Sequence, residues 1–223
     1  MLKEMIVLWK SKGLMHKVVE EFGHMLEDDT YIFSQAWLAL EDGTCAQALK
    51  GPVHKRDRAV NEREREIRRM LLEHLALTGG QDSSGCLVMM SLVKDAERIG
   101  DYSKNIFDLA LLLGESARQM KYFKRFSELQ VRLGVHLDDV RKAFLGEDEA
   151  LAEKILDAYP QLKEVCNKLL DDLFADELPT REVVATTLLS RHFKRVNSHI
   201  SNIASGLIYP LDQIDFVRGG ISD

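Results

Sequence analysis

The sequence predicts an all-α protein made of two tandem, pseudo-symmetric bundles of three antiparallel helices each. Apolar residues recur at the helical period of 3.6 in nearly every long segment. No run alternates strictly between apolar and polar residues, as a half-buried strand would. Only 4 Pro and 14 Gly occur among 223 residues, so little interrupts helix formation. We therefore expect six helices, three in residues 1–115 and three in residues 116–223.

The first half, residues 1–115, begins with an apolar stretch that we interpret as the first helical turns. No small-residue cleavage site of a signal peptide follows it. Gly43 is expected to end the first long helix, and Pro52 to break or kink the second, because proline removes a hydrogen bond. A loop rich in Gly and Ser should lead into the third helix. The predicted helices are residues 12–42, 44–78 and 86–113.

The second half, residues 116–223, repeats this order and ends in a tail that we predict to be irregular. Pro179 and Thr180 mark a helix start. The segment 97–109 can be laid on the segment 194–206, which indicates an internal duplication. The identical positions pair Arg98 with Arg195, Asn105 with Asn202 and Ile106 with Ile203. The predicted helices are residues 116–145, 148–175 and 180–208.

Composition argues against several classes of function. The formal net charge is −6 and the pI is near 5.7, which gives no electrostatic reason to expect nucleic acid as a partner. No apolar run approaches the roughly 20 residues that a membrane-spanning helix needs. The three cysteines, Cys45, Cys86 and Cys166, lie far apart without C-x-x-C spacing. We interpret them as free thiols of a cytoplasmic protein.

An acidic row on the third predicted helix is the strongest candidate for a binding site. The row consists of Glu97, Asp101, Asn105 and Asp108, which share one helix face. Small residues, Gly100 among them, should let a neighbouring helix approach the other side closely. We therefore expect the acidic row to face outward. It is either a solvated face, paired with Lys94 and Arg98 at little gain in stability, or a set of oxygen ligands for a cation.

A cation at this row needs ligands from a second helix, because two carboxylates cannot complete its coordination shell. The second predicted helix offers Asp57, Asn61 and Glu64. Two carboxylates one turn apart also repel each other, and a cation would relieve that repulsion. Hard oxygen ligands suit Mg, Ca, Mn or Fe, and Zn also accepts them.

The segment around this row resembles the signature of the PhoU family, the phosphate-uptake regulators of bacteria and archaea. The matching residues are Lys94, Glu97, Arg98, Ile99, Gly100, Asp101, Asn105 and Ile106, while Tyr102 stands where His is usual. The resemblance implies a non-catalytic cytoplasmic protein whose partners are a phosphate ABC transporter ATPase and/or a phosphate sensor kinase. It also implies an Fe, Zn, Mn or Mg cluster at Glu97 and Asp101, with Asp57 as a further ligand.

The second half departs from the family pattern. Lys194 stands where Glu is expected, Ser198 stands where Asp is expected, and Gln161 occupies a position that corresponds to Asn61. A protonated ammonium repels a cation and has no lone pair to ligate it. We therefore expect any metal cluster in the first repeat only, and the loss of one site leaves open the loss of both.

Other interpretations remain open. One alternative is that the chain is a metal-free accessory protein of a sodium–phosphate cotransporter or a related anion carrier. Glu21-x-x-His24 has the spacing of ferritin-like di-iron oxidoreductases, although no second copy occurs. His192 and His199 share a helix face, and a polar surface or a hydrogen bond between repeats explains them better than metal ligation. Hydrophobic seams would also support a homodimer.

Overall fold

The computed structural model describes residues 2–10 and 13–214. All regular structure within these ranges is helical, which confirms the predicted fold class. The α-helices are α1 (Leu2–Trp9), α2 (Leu14–Glu41), α3 (Ala46–Leu77), α4 (Ser83–Leu113), α5 (Phe123–Gly146), α6 (Glu149–Phe174) and α7 (Thr180–Ile208). Short 3₁₀ segments follow α4 and α7, at Gly114–Gln119 and Leu211–Gln213.

The six long helices form two three-helix bundles that pack on each other. Helices α2, α3 and α4 form the first bundle, and α5, α6 and α7 form the second. Contacts of α4 with α7 and of α2 with α5 join the two bundles. The predicted division between residues 115 and 116 falls inside a 3₁₀ segment and stays a prediction.

The opening residues form a separate helix, α1, instead of the first turns of α2. Gly13 lies between α1 and α2 with a φ of 96°, a conformation that favours glycine. Helix α1 lies over the start of α4, where a Cβ on Gly85 would collide with Met5 and come within 3.2 Å of the Trp9 ring. Helix α4 therefore begins earlier than predicted, at Ser83, and its first turns are covered by α1.

Helix α3 runs without a break through Pro52, so of the break or kink that we predicted, the break does not occur. Pro52 removes one backbone hydrogen bond from a helix of 32 residues, and packing of the remaining turns offsets that loss. The preceding residue is Gly51, which has no Cβ to clash with the proline ring in a helical conformation. Pro160 also lies within α6, although Tyr159, which has a Cβ, precedes it.

Gly43 lies in the turn between α2 and α3, so α2 ends close to the glycine that we predicted would end it, but Gly43 does not adopt a left-handed conformation. Helix α2 ends at Glu41, and the positive-φ glycines do not include Gly43. A Cβ there would lie 2.8 Å from the Gly114 carbonyl oxygen and 2.5 Å from the Glu115 nitrogen. Glycine is required because the chain after α2 crosses in direct contact with the chain after α4.

Aromatic side chains connect the two bundles through a common core. Each pair joins α2 to α5 or α7: Phe22 with Phe144 (ring centroids 4.5 Å apart), Phe33 with Phe193 (5.7 Å) and Trp37 with Phe123 (5.1 Å). Trp9 and Trp37 are both buried and anchor the core. Because these rings cross the boundary between the bundles, the halves share one apolar interior.

Smaller predictions concern the cysteines, the lengths of the helices and the tail. All three cysteines are free thiols, and burial raises the pKa of Cys166 to about 12, so this thiol is unreactive at neutral pH.

None of the described helices is long and apolar enough to cross a membrane. The tail prediction largely concerns residues 215–223, which lie outside the described residues.

Candidate functional site

Carboxylates from three helices of the first bundle gather around the middle of α4. We define the acidic cluster as Asp29 from α2, Asp57 and Glu64 from α3, and Glu97 and Asp101 from α4. Sequence spacing explains two pairs, since residues 57 and 64 are two turns apart and residues 97 and 101 are one turn apart. The packing of α2 and α3 on α4 then brings these acids together.

Asp29 is the most buried member of the acidic cluster. The residue is 0% exposed, and neither carboxylate oxygen has a hydrogen-bond partner within the described ranges. A Cβ built on Gly100 would lie 2.8 Å from Asp29 Oδ1, so this carboxylate rests against the bare backbone of α4. Burial is the main reason that the pKa of Asp29 lies well above its usual value, and the neighbouring carboxylates raise it further.

The small-residue side of α4, at Gly100, therefore contacts a carboxylate of the acidic cluster. We predicted that Gly100 allows close packing, and the structure confirms the close approach. The group that occupies the space is a carboxylate instead of an apolar side chain. The predicted outward direction of the row is wrong for Glu97, whose side chain is 9% exposed.

Basic side chains already contact the outer carboxylates of the acidic cluster. Lys94 Nζ lies 2.6 Å from Glu97 Oε2, and Arg98 lies 3.4 Å from Asp101. Lys104 Nζ lies 3.5 Å from Asp57 and 3.8 Å from Asp101, and so bridges α3 and α4. These ion pairs offset the repulsion between the outer acids, but none of them reaches the buried Asp29 carboxylate.

Asp101 keeps an unfavourable electrostatic environment despite its ion pairs. Burial raises the pKa of Asp101 above its usual value, and the negative charge of Glu97 adds to that effect. Lys104 acts in the opposite direction without cancelling the shift. The side chain is 29% exposed, so it remains accessible to a solvent cation.

The charged run on α3, residues 55–69, includes side chains that are buried or paired with other helices. Glu64 is buried and pairs with Arg68 at 3.0 Å. Arg56 and Arg63 both form ion pairs with Asp28, whose side chain is 2% exposed. The two adjacent aspartates of α2 thus differ sharply: Asp28 has two guanidinium partners, and Asp29 has none among the described residues.

The donor atoms of the acidic cluster suit a hard cation, but their present arrangement does not enclose one. Carboxylate oxygens are ligands that suit Mg²⁺, Mn²⁺ and Fe. The Asp29 carboxylate forms no ion pair with any of the residues that the structure describes. Within the described part of the chain, no three His, Cys, Asp or Glu side chains converge closely enough to hold one metal ion. A cation would therefore have to compete with Lys94 and Lys104 for their carboxylates.

Comparison with known protein families identifies the family of this chain. The sequence profile of the PhoU domain matches it twice, at residues 23–110 and 126–207. The chain belongs to the PhoU family. The two matches correspond to the two three-helix bundles, and α1 precedes the first of them.

Two curated PhoU relatives cover most of the chain. The phosphate-specific transport system accessory protein PhoU homolog 1 of Thermotoga maritima is 23% identical over 185 residues, which is 79% of this chain and 80% of that protein. The corresponding accessory protein of Aquifex aeolicus is 26% identical over 155 residues, which is 66% of this chain and 69% of that protein.

Solved PhoU structures share the fold. The phosphate transport system regulatory protein PhoU from Streptococcus pneumoniae superposes with a TM-score of 0.76 at 22% identity, covering 88% of this chain and 94% of that one. PhoU from Pseudomonas aeruginosa superposes with a TM-score of 0.77 at 21% identity, covering 90% and 97%. At these identities the likeness concerns the fold alone.

The second PhoU repeat has hydrogen bonds where the first has its acids. Lys194 Nζ donates to Asn167 Oδ1 at 2.7 Å, and the Ser198 hydroxyl donates to the Lys194 carbonyl oxygen at 3.0 Å. Gln161 lies 3.4 Å from Arg132 of α5. Lys194 therefore links α7 to α6 without any carboxylate, and the Ser198 hydroxyl bonds within α7.

Two of the histidines singled out in the sequence, His199 and His24, have ordinary partners. His199 Nδ1 lies 2.7 Å from Asp95 Oδ1, which also accepts a hydrogen bond from Asn202 at 2.9 Å. This confirms a hydrogen bond between the PhoU repeats. In the ferritin-like motif, Glu21 instead pairs with Arg63 at 3.0 Å and His24 lies 3.7 Å from Glu27.

Sequence reasoning missed Asp29, although a signal for it was present. Asp29 follows Phe22 by seven residues and precedes Phe33 by four, so it lies on the apolar stripe of α2. An acid on such a stripe is buried unless the stripe ends there. The choice of partner was not visible, because nothing in α2 predicts that it contacts Gly100.

Proposed function

We propose that this PhoU-family chain is a non-catalytic, cytoplasmic regulator of phosphate transport. The observation that carries the proposal is the double PhoU match over both bundles, together with relatives named as accessory proteins of phosphate-specific transport systems. A continuous helical scaffold suits a protein that acts by contacting a partner. The partner in this proposal is the ATPase of a phosphate ABC transporter or a phosphate sensor kinase.

We also propose that the acidic cluster binds a divalent or iron-type cation in the first repeat only. Asp29, Asp57, Glu97 and Asp101 would supply the oxygen ligands. The support for this is physical: a buried carboxylate without a partner is costly, and a cation beside Asp29 would relieve that cost. A bound cation would offset part of the negative charge of the cluster and draw α2, α3 and α4 together.

The paired substitution Glu97→Gln with Asp101→Asn tests this cation site. We expect it to weaken metal binding by more than about a hundredfold, since even substitutions of outer-shell partners reduce affinity substantially. The measurement is stoichiometric metal analysis after supplementation with Fe, Mn, Zn or Mg, followed by titration of the metal-free protein.

A matched control is available on α6. Glu153 and Asp157 have the same spacing and chemistry, and both are exposed, so Glu153→Gln with Asp157→Asn should leave metal affinity unchanged. Wild-type protein without stoichiometric metal after supplementation, or equal losses in the two paired variants, would refute the cation site. The regulatory proposal would survive that result, because a metal-free accessory protein is compatible with it.

The regulatory proposal itself is tested by its partner. The full chain, tagged at one end, is captured from native cells with brief cross-linking, and its neighbours are identified by mass spectrometry. Enrichment of a phosphate ABC transporter ATPase or a phosphate sensor kinase supports the proposal. Enrichment of a sodium–phosphate cotransporter would replace the proposal with the alternative accessory function. Enrichment of none of these proteins would reject the proposal.

A further inference from the structure

The outward faces of α3 and α6 lie at opposite edges of the molecule. Helix α3 packs on α2 and α4, and helix α6 packs on α5 and α7, while contacts of α4 with α7 and of α2 with α5 join the two bundles. The two outer helices are thus separated by the four central ones. Each presents a row of exposed side chains on its outward face.

The outward row on α3 is mainly basic and has the spacing of a helix-pairing surface. We define the α3 stripe as the exposed residues Arg58, Glu62, Arg65, Arg69 and Leu72. Alternating steps of four and three residues keep them on one face of the helix. Arg58 and Arg65 have no ion pair within residues 2–10 and 13–214. Leu72 is 61% exposed, so the stripe ends in an apolar side chain.

The outward row on α6 has similar spacing and mainly the opposite charge. We define the α6 stripe as the exposed residues Glu164, Lys168, Asp171 and Phe174. In the part of the chain that the structure describes, none of its three charged side chains forms an ion pair. Phe174 is 92% exposed, more than any other large apolar side chain among the described residues. A phenylalanine ring this exposed gains apolar burial when a second surface covers it.

We propose that the α6 stripe of one molecule docks on the α3 stripe of a second copy of this chain, with the two helices parallel. The charged residues have equal intervals along the two stripes, so three oppositely charged pairs form in one register. Glu62 and Lys168 each carry the minority charge of their own stripe, and in this register they face each other. This match at every charged position of the α6 stripe identifies a second copy as the partner. The pairs are Arg58 with Glu164, Glu62 with Lys168, and Arg65 with Asp171.

The opposite helix direction does not give this match. An antiparallel pairing that keeps Arg58 opposite Glu164 places Glu62 opposite Pro160 and Lys168 opposite His54. Both minority charges then lack an opposite charge, although burying or pairing them is what the alternating signs allow. The parallel register is therefore the one that we propose.

The exposed ring of Phe174 anchors one end of this contact. Phe174 lies one turn beyond Asp171, and Arg69 lies one turn beyond Arg65, so the ring and the guanidinium come together. A guanidinium over an aromatic face is attracted to it, and Leu72 follows next on the α3 stripe. Exposed ion pairs alone contribute little, so burial of the ring supplies much of the affinity.

The two stripes differ, so the contact joins unlike surfaces of identical molecules. Such a heterologous contact leaves one α3 stripe and one α6 stripe unused at the ends of any open assembly. The contact therefore extends into chains or closes into rings instead of stopping at a dimer. The proposal is independent of the cation site and of the transport partner.

Sedimentation velocity of the full-length protein in chelator tests the proposal. Runs cover about 10 μM to 1 mM protein, the range in which a weak contact associates, at about 20 mM and about 300 mM salt. The sedimentation coefficient of wild-type protein should increase with protein concentration at low salt. High salt should reduce the association, because the charged pairs are exposed to solvent.

Charge reversals on the two stripes show whether these residues meet. Arg65→Glu should weaken association at least about tenfold, since it places two carboxylates opposite each other. Asp171→Lys should do the same by placing two cations opposite each other. A mixture of the two variants should associate again, because each contact between unlike variants joins opposite charges. Phe174→Ser should weaken association about five- to tenfold.

Asp157→Lys is the matched control. Asp157 is an exposed acid of α6 outside the α6 stripe, and in the parallel register it lies opposite Gly51. The same reversal of charge there should leave association unchanged, whereas the antiparallel pairing would place Asp157 opposite Arg65. Glu62→Lys and Lys168→Glu form an equivalent pair of reversals, and they decide the matter if a variant of the first pair fails to fold.

Four results would overturn the proposal. One is wild-type protein that remains monomeric up to about 1 mM at low salt, and another is an assembly that stops at two copies. The third is unchanged association in either charge-reversal variant, or a mixture of the two that does not recover. The fourth is an equal loss in Asp157→Lys, which would indicate general electrostatic attraction or the antiparallel pairing.

Discussion

Asp29→Asn should raise the free energy of unfolding of the metal-free protein by about 1–3 kcal/mol near neutral pH. The Asp29 carboxylate is fully buried against Gly100 and has no hydrogen-bond partner in the described structure. An amide of the same shape removes the charge without creating a cavity. Urea unfolding in the presence of a chelator measures the change.

The neighbouring aspartate provides the control for this experiment. Asp28 is as buried as Asp29, but Arg56 and Arg63 pair with it. Asp28→Asn should therefore destabilise the protein by about 1–3 kcal/mol, since it leaves two guanidinium groups without their carboxylate. Effects of the same sign in the two variants would contradict our account of the acidic cluster.

The pH dependence of this effect has a defined sign. The pKa of Asp29 is raised in the folded state, mainly by burial, so folding favours the protonated carboxyl. Its contribution to stability is complete below the unfolded-state pKa of about 3.9 and is lost as the pH rises through the folded-state pKa. The advantage of Asp29→Asn should therefore be small in acid and should grow as the pH rises.

A divalent cation should make wild-type protein more stable than Asp29→Asn, the reverse of the order expected without metal. If Asp29 helps to hold the proposed cation, wild-type protein gains stability from metal in proportion to its affinity, whereas Asp29→Asn gains less. Thermal unfolding with and without Mn²⁺ or Mg²⁺ measures both gains. Equal gains in wild-type protein and Asp29→Asn would remove Asp29 from the proposed ligand set while leaving its effect in chelator unchanged.

Gly43→Ala should destabilise the protein by about 2–4 kcal/mol. A Cβ at this position would lie 2.5 Å from the Glu115 nitrogen and would also collide with the Gly114 backbone. Backbone atoms cannot rotate out of the way as a side chain can, so one of the two connections has to move. Chemical denaturation with helical circular dichroism as the readout measures the loss.

Gly134→Ala is the matched control for this substitution. Gly134 lies within α5, and its added Cβ would meet only a side-chain nitrogen of Gln130, at 3.8 Å. Alanine there should stabilise the protein by about 0.5–1 kcal/mol, because glycine loses more conformational freedom on helix formation. A Gly43→Ala variant as stable as Gly134→Ala would show that the crossing of the two connections is not tight.

The helices were largely predictable because each long segment repeats the period of its own buried face. The acidic row on α4 and the reversed charge at Lys194 were equally visible, since both depend on spacing within one segment. The errors occurred where a local rule was applied without its structural context. Pro52 does not break α3, because packing of the other turns offsets the lost hydrogen bond, and α1 is separate from α2, because Gly13 adopts a positive φ.

The periodicity of a helix establishes which side is buried but contains no information about what lies opposite. Asp29 could be placed on the apolar stripe of α2, yet its contact with Gly100 arises only when α2 packs on α4. Gly43 likewise is essential because of a backbone 71 residues away at Gly114. Residues distant in the chain come into contact only in the folded molecule. There, burial raises the pKa of Asp29, and the backbone at Gly114 leaves room only for glycine at position 43.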